Sequence, residues 1–254
     1  MDHTSPRIAL VTGGTGGIGA AICRQLAADG LTVAVADRDA AAAEALARSL
    51  GPAHAGFAVD VADEAAVEAL FRAVEARLGA IDVLVSGAGV LLLRPDGSRN
   101  LLAETPTDEW RRTMEINTSG TFYCCRAYAR RITAARPGGR VVTISSVAAQ
   151  LGGYRSSSAY IASKAAVLGL TKALARELAP FSVTVNSVAP GLIDAPMLRL
   201  SLDPADDARA ASQIPLGRLG TPEDVAGAIA YLVSPAAAYV TGNTIDVNGG
   251  YRMQ

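Results

Sequence analysis

Histidine and cysteine are both scarce in this chain of 254 residues, with two of the first and three of the second. His3 and His54 stand apart, with no thiol or carboxylate cluster around either, so no dedicated metal site is expected. Cys23, Cys124 and Cys125 make an odd number and form no CxxC pair. That argues against a disulfide scaffold and fits a reducing cytoplasm. The formal net charge is only −1, so no long-range field points to nucleic acid or an anionic membrane. No apolar run reaches the roughly 18 charge-free residues of a membrane span. The opening "MDHTSPR" lacks the apolar stretch of a signal peptide. Aromatic residues make up only 5% of the chain, so any core must be built mainly from aliphatic side chains.

Aliphatic residues are abundant, and their arrangement is regular. Short apolar runs at 7–12, 32–36, 55–59, 81–86, 139–145, 183–189 and 243–247 read as strands. They are apolar on both faces, as strands covered from both sides must be. Helical stretches are expected near 17–29, 39–50, 63–78, 107–135, 158–179 and 222–233. This alternation predicts an α/β fold: one Rossmann-like, doubly wound parallel sheet of about seven strands with helices on both faces. No linker splits the chain, so residues 1–254 are read as a single domain. Two long loops, 87–106 and 190–221, are candidates for function.

"VTGGTGGIG" at 11–19 follows the first strand and opens the first helix. Glycines there let the backbone pass close to a pyrophosphate, and the helix N-terminus offers free N–H groups and a positive dipole end. The second strand ends about twenty residues on at Asp37, where a carboxylate accepts the ribose hydroxyls of an adenosine. Against a 2′-phosphate, two unit charges at ~4 Å and an effective dielectric near 20 repel by roughly 4 kcal/mol. Asp37 therefore favours NAD over NADP. Arg38 is the counter-argument, since it could reach a phosphate, but Gly16 supplies no second cation.

"SSSAYIASK" places Tyr160 four residues before Lys164, so both side chains share one helix face. The small residues around them are expected to leave room for bound molecules. A free phenol has a pKa near 10. A nearby lysine ammonium, with a positive nicotinamide ring, favours the phenolate; a charge about 4 Å away corresponds to about three units, toward the range where a general base works best.

With "TGGTGGIG", "SGAG", "SS" and "YIASK" in this order, the chain resembles the short-chain dehydrogenase/reductase family over nearly its whole length. Asp60-Val61, "EINTSGTF", "APG" and "YVTGNTIDVNGG" extend the resemblance. It implies a catalytic tetrad of Asn117, Ser146, Tyr160 and Lys164. Tyr160 would take the substrate proton as hydride leaves for the cofactor, and Ser146 would hydrogen-bond the same oxygen. Lys164 would also bind the nicotinamide ribose, and Asn117 would hold a water. The expected cofactor site comprises Gly13, Thr15, Gly16, Gly17, Ile18, Gly19, Asp37, Arg38, Asp60, Val61, Ala88, Gly89, Tyr160, Lys164, Pro190, Gly191 and Ile193. The resemblance also implies a homotetramer packed through the helices near 107–135 and 158–179.

Three departures stand out. The family's usual Asn-Asn-Ala-Gly is here Ser86-Gly87-Ala88-Gly89, without the bracing asparagines. Ala195 stands where a threonine often lies near the nicotinamide amide, and the backbone near Ile193 is expected to replace its hydrogen bond. Ser146 lies one residue farther from Tyr160 than usual, which a loop insertion explains; Ser145 is the alternative serine.

These features lead to an NAD-dependent oxidoreductase acting on a small-molecule secondary alcohol of the sugar, polyol or hydroxy acid class. A 3-oxoacyl thioester reductase is the alternative within the family, although that role usually goes with NADPH, which Asp37 opposes. A non-catalytic NAD-sensing protein of the same fold is the third reading. Ser146, Arg155, Leu192, Arg94 and Arg199 are candidate substrate contacts, and the three arginines could bind an anionic group. The apolar and acidic mixture at 192–214 suits a substrate lid. Amide hydrogen exchange over 192–214 should slow when NAD and a substrate analogue are added together; unchanged exchange would rule the lid out.

Overall fold

The computed structural model describes residues 6–132 and 138–253. Its first half runs β1 (Ile8–Thr12), α1 (Gly17–Ala28), β2 (Thr32–Asp37), α2 (Ala40–Leu50), β3 (Ala55–Ala58), α3 (Glu64–Arg77) and β4 (Ile81–Ser86). Then come α4 (Thr107–Met114), a π-helical turn (Glu115–Ser119), α5 (Gly120–Ala129), β5 (Gly139–Ile144), α6 (Ala148–Leu151) and α7 (Ser158–Leu178). The chain continues through β6 (Val183–Pro190), α8 (Pro196–Arg199), α9 (Asp207–Ala211), α10 (Pro222–Val233) and β7 (Thr244–Val247). The seven expected strands are present to within about a residue at each end.

All strand pairs are parallel, in the order β3-β2-β1-β4-β5-β6-β7. Side chains alternate across β1. Ile8 and Leu10 join a core with Phe71 of α3, Tyr128 of α5 and Leu174 of α7. Ala9 and Val11 face the opposite core, with Ile22 of α1, Ala43 of α2 and Ile229 of α10. The continuous apolar runs are thus explained: both faces of each central strand are buried.

Helix starts follow local chemistry. Asp39 and Asp63 accept from first-turn amides of α2 and α3, and Thr221 forms a capping box with Asp224 at α10. The helix expected over 107–135 is interrupted. The π turn breaks it into α4 and α5, and its last residues, like His3, lie outside the described residues. Gly120 ends this turn against Val61, where a Cβ would come within 2.7 Å of the valine side chain. The long segment 190–221 is not bare loop, since it holds α8 and α9.

Leu84 is fully buried in the central strand β4. Leu84→Ala should lower unfolding free energy by about 2–5 kcal/mol, read from urea denaturation, because the packed sheet relaxes little around the cavity.

Candidate functional site

The sheet order reverses between β1 and β4. The loops leaving these strands diverge and open a crevice at their C-terminal ends. There Gly13 adopts φ +70, and a Cβ on it would lie 2.8 Å from the Ala88 Cα. A Cβ on Gly19 would strike the Gly13 carbonyl. Only side-chain-free backbone fits at these points. The missing asparagine brace has a substitute. The Thr12 hydroxyl accepts from the amides of Gly87 (3.2 Å) and Ala88 (3.5 Å). Sequence reasoning missed this residue; its signal was a hydroxyl at the strand end beside the first glycine.

A continuous cavity of ≈ 1180 Å³ runs along the crevice. Every expected cofactor residue lines it, and so do Ser146, Arg155 and Leu192. At one end Asp37 is fixed by the amides of Thr15 (3.1 Å) and Arg38 (2.7 Å). Asp60 accepts from the Ala62 amide at 2.9 Å and faces Arg112 at 3.3 Å. The Ala62 N–H, with Arg112 beside it, holds the Asp60 carboxyl below its ordinary range. Helix α1 has Gly16 at its N-cap, with no side-chain cap and no acidic residue in its first turn. A bare cradle, uncapped amides and a ribose-height carboxylate fit a dinucleotide.

At the other end lie Ser146, Tyr160 and Lys164. The Ser146 hydroxyl stands near enough to the Tyr160 phenol to favour its ionised form and accepts from the Ala148 amide at 3.1 Å. Ser145 is committed elsewhere, donating to the Lys164 carbonyl at 2.8 Å, so Ser146 is the serine brought to Tyr160. Between Ser146 and Tyr160 the chain turns after α6, where Gly152 and Gly153 both take positive φ. Ser157 then caps α7 by accepting from the Tyr160 amide at 3.4 Å.

Two expectations need correction. Tyr160 and Lys164 share a helix face, but Lys164 Nζ lies 6.0 Å from the phenol ring centroid and donates to the Ile144 carbonyl at 2.9 Å. Burial pushes the Tyr160 phenol up, with only the Ser146 hydroxyl opposing it. Burial likewise pushes the Lys164 ammonium down to about 8. The site penalises both charges, so the lysine does not by itself bring the tyrosine toward neutrality. The small residues of this stretch also serve packing rather than open space. Ala159 and Ser163 are fully buried.

Asn117 is buried outside the cavity lining, in the π turn. Its Oδ1 accepts from the Val90 amide (2.8 Å), and its Nδ2 donates to the Val90 carbonyl and the Ser163 hydroxyl (both 3.0 Å). The side chain therefore clamps the loop segment following Gly89.

The three arginines do not converge. Arg94 donates to Asn100 and Glu104, both at 2.6 Å, within its own loop. Arg199 bridges Asp194 and Asp207. Neither lines the cavity; in both cases a local carboxylate neutralises the guanidinium. Arg155 does line it, but donates to the Ser201 carbonyl at 2.7 Å. Arg99, not anticipated, straps the carbonyls of Gly153 (2.9 Å) and Ser156 (3.2 Å). Ala195 and Pro196 lie over Gly17, where a Cβ would come within 2.8 Å of Pro196 Cδ. Ile193 bridges Gly220 through the neighbouring Leu192 carbonyl and Asp194 amide. Among the described residues no helix is long and apolar enough to cross a membrane, and no cluster of His, Cys, Asp and Glu suits a metal ion.

A family model described as enoyl-(acyl carrier protein) reductase matches residues 13–252. The chain is similar to the 3-oxoacyl-[acyl-carrier-protein] reductase FabG of Escherichia coli (strain K12), 39% identical over 97% of this chain and 98% of that protein. It is also similar to D-threitol dehydrogenase of Mycolicibacterium smegmatis, 40% identical over 98% of this chain and 94% of the relative. Among solved structures, the short-chain dehydrogenase/reductase SDR:Glucose/ribitol dehydrogenase from Brucella melitensis superposes with a TM-score of 0.89. Identity there is 38%, covering 98% of this chain and 97% of that one.

The pKa directions set a test. Lys164 is depressed to about 8, so below that pH folding must desolvate an ammonium. Between about 8 and the ordinary lysine value of 10.5 the unfolded chain binds more protons, and the penalty fades as pH rises. Lys164→Met should therefore raise unfolding free energy near neutral pH by about 1–3 kcal/mol, reduced by the orphaned Ile144 carbonyl. The gain should shrink as pH rises through that window, measured by denaturant titration at several pH values.

Proposed function

We propose that this chain, which belongs to the short-chain dehydrogenase/reductase family, is an NAD-dependent oxidoreductase interconverting a secondary alcohol and its ketone. One observation carries this reading. A single cavity joins the glycine loop and the fixed Asp37 carboxylate at one end to the Ser146–Tyr160 hydroxyl pair at the other. When bound, NAD supplies a hydride acceptor, or in its reduced form a donor. The protein's part is to bind, orient and move a proton.

Tyr160, kept as a phenol by burial, is in the form that donates a proton to a ketone oxygen. In the alcohol direction the Lys164 charge, together with the positive ring of a bound nicotinamide, would favour the phenolate. Ser146 hydrogen-bonds the reacting oxygen and holds it against Tyr160. Lys164 Nζ has donors beyond the one given to Ile144, and Gly89 lies beside it, so it is placed to hold ribose hydroxyls. Asn117 acts as a positioning residue through Val90. Residues 192–214 serve as the lid, with α8 and α9 buckled together by Arg199. The exposed side chains of Trp110 on α4 and Phe122 on α5 support association of copies, as in a homotetramer.

The relatives named for threitol and for glucose or ribitol support an alcohol substrate. A 3-oxoacyl thioester reductase is the second reading, favoured by the 39% identity to FabG. Asp37 speaks against it to the extent that such a reductase uses NADPH. The discriminating assay follows NADH absorbance with a panel of secondary alcohols, and NADH or NADPH consumption with an acyl thioester. Turnover confined to the thioester would establish the second reading, and NAD binding without turnover would mark a sensor.

Tyr160→Phe should cut kcat at least roughly tenfold while leaving the Kd for NAD unchanged, because only the proton-bearing oxygen is deleted. Asp37→Ser should narrow the preference for NAD over NADP by about tenfold to a hundredfold, or ~1.4–2.7 kcal/mol. A wild-type enzyme preferring NADP would refute the role of Asp37.

A further inference from the structure

We infer that the substrate is an uncharged secondary alcohol, or its ketone, that carries an apolar ring or chain on the flank facing Met197. This rests on the reading of Tyr160 as the residue that moves the proton. The Tyr160 hydroxyl lies 4.0 Å from Met197 Sδ, so a thioether borders the oxygen at which the reaction is centred. Around it the segment 192–214 turns Pro196, Leu198 and Ala210 to the cavity. Its polar side chains there are Gln213 and Ser201, and the Ser201 hydroxyl donates to the Leu198 carbonyl at 3.4 Å.

Charge is distributed just as unevenly. Among the described residues the carboxylates lining the cavity are Asp37 and Asp60, at the glycine-loop end, with Arg38 and Arg112 beside them. Among the described residues lining the Tyr160 end, the cations are Arg155, engaged by the Ser201 carbonyl, and Lys164, which donates to the Ile144 carbonyl. The lining also includes Leu151, 45% exposed, and Tyr154, 83% exposed.

A polyol would press several hydroxyls against this wall, with few side chains to replace the water they lose. A carboxylate would bring its charge against the apolar wall of residues 192–214, away from Lys164, which donates to the Ile144 carbonyl, and with Arg155 held by the Ser201 carbonyl. An apolar flank gains from the same contact.

The test compares cyclohexanol, myo-inositol and a hydroxycyclohexane carboxylate with NAD. All three are six-membered rings of similar shape. Cyclohexanol should exceed both others in kcat/KM by at least roughly tenfold. Met197→Ser should lower the cyclohexanol value by about tenfold, and Met197→Leu should restore most of it. A higher or equal value for myo-inositol or the carboxylate, or no loss in Met197→Ser, would overturn the inference. Turnover with none of the rings, or turnover that survives Tyr160→Phe, would instead overturn the underlying reading of the site.

Discussion

The site depends on two backbone segments lying against each other with nothing between them. Gly13, after β1, meets Gly87 and Ala88, after β4, at the point where the strand order reverses. Any side chain there would push the two loops apart. With the contact made, Thr12 bonds the 87–88 amides, the first turn of α1 is aimed into the crevice, and Gly89 is carried to Lys164. The carboxylate of Asp37 is then held by the loop's own Thr15 amide, so this carboxylate and the glycine loop are one hydrogen-bonded unit.

The other end of the cavity is built against the preferences of its side chains. Lys164 is buried with its ammonium on a strand carbonyl, and Tyr160 is buried beside a serine and a methionine. Each charge is disfavoured by its surroundings, so the pair is held by the packing of α7 rather than by mutual attraction. Ser157 sets the start of that helix, and Ser163 ties its middle to Asn117 and the π turn. A π turn frees local backbone from the regular ladder and often marks a functional segment. Here it also delivers the side chain that clamps Val90.

Arginines organise the rim. Arg99 and Arg155 bind main-chain carbonyls of neighbouring loops, and Arg199 joins two aspartates within one segment. A guanidinium has five donors in a rigid fork and suits this stapling well. The consequence for chemistry is that the arginines of these loops are tied up and leave a largely apolar wall at residues 192–214 beside Tyr160.

The fold was legible in the sequence because doubly buried strands and amphipathic helices leave different periodicities, and both are local. The glycine loop, Asp37 and the Ser146, Tyr160 and Lys164 set were legible for the same reason, as each is a short pattern at a fixed place on a strand end or helix turn. What only the tertiary structure decided were partners distant in the chain. Thr12 braces residues about 75 positions away, Asn117 reaches back to Val90, and Arg155, on the cavity wall, is tied to the Ser201 carbonyl. The protonation preferences of Tyr160 and Lys164 belong to the same class. Spacing places two side chains on one face, but burial and the nearest carbonyl decide whether they meet, and both depend on every element packed around α7.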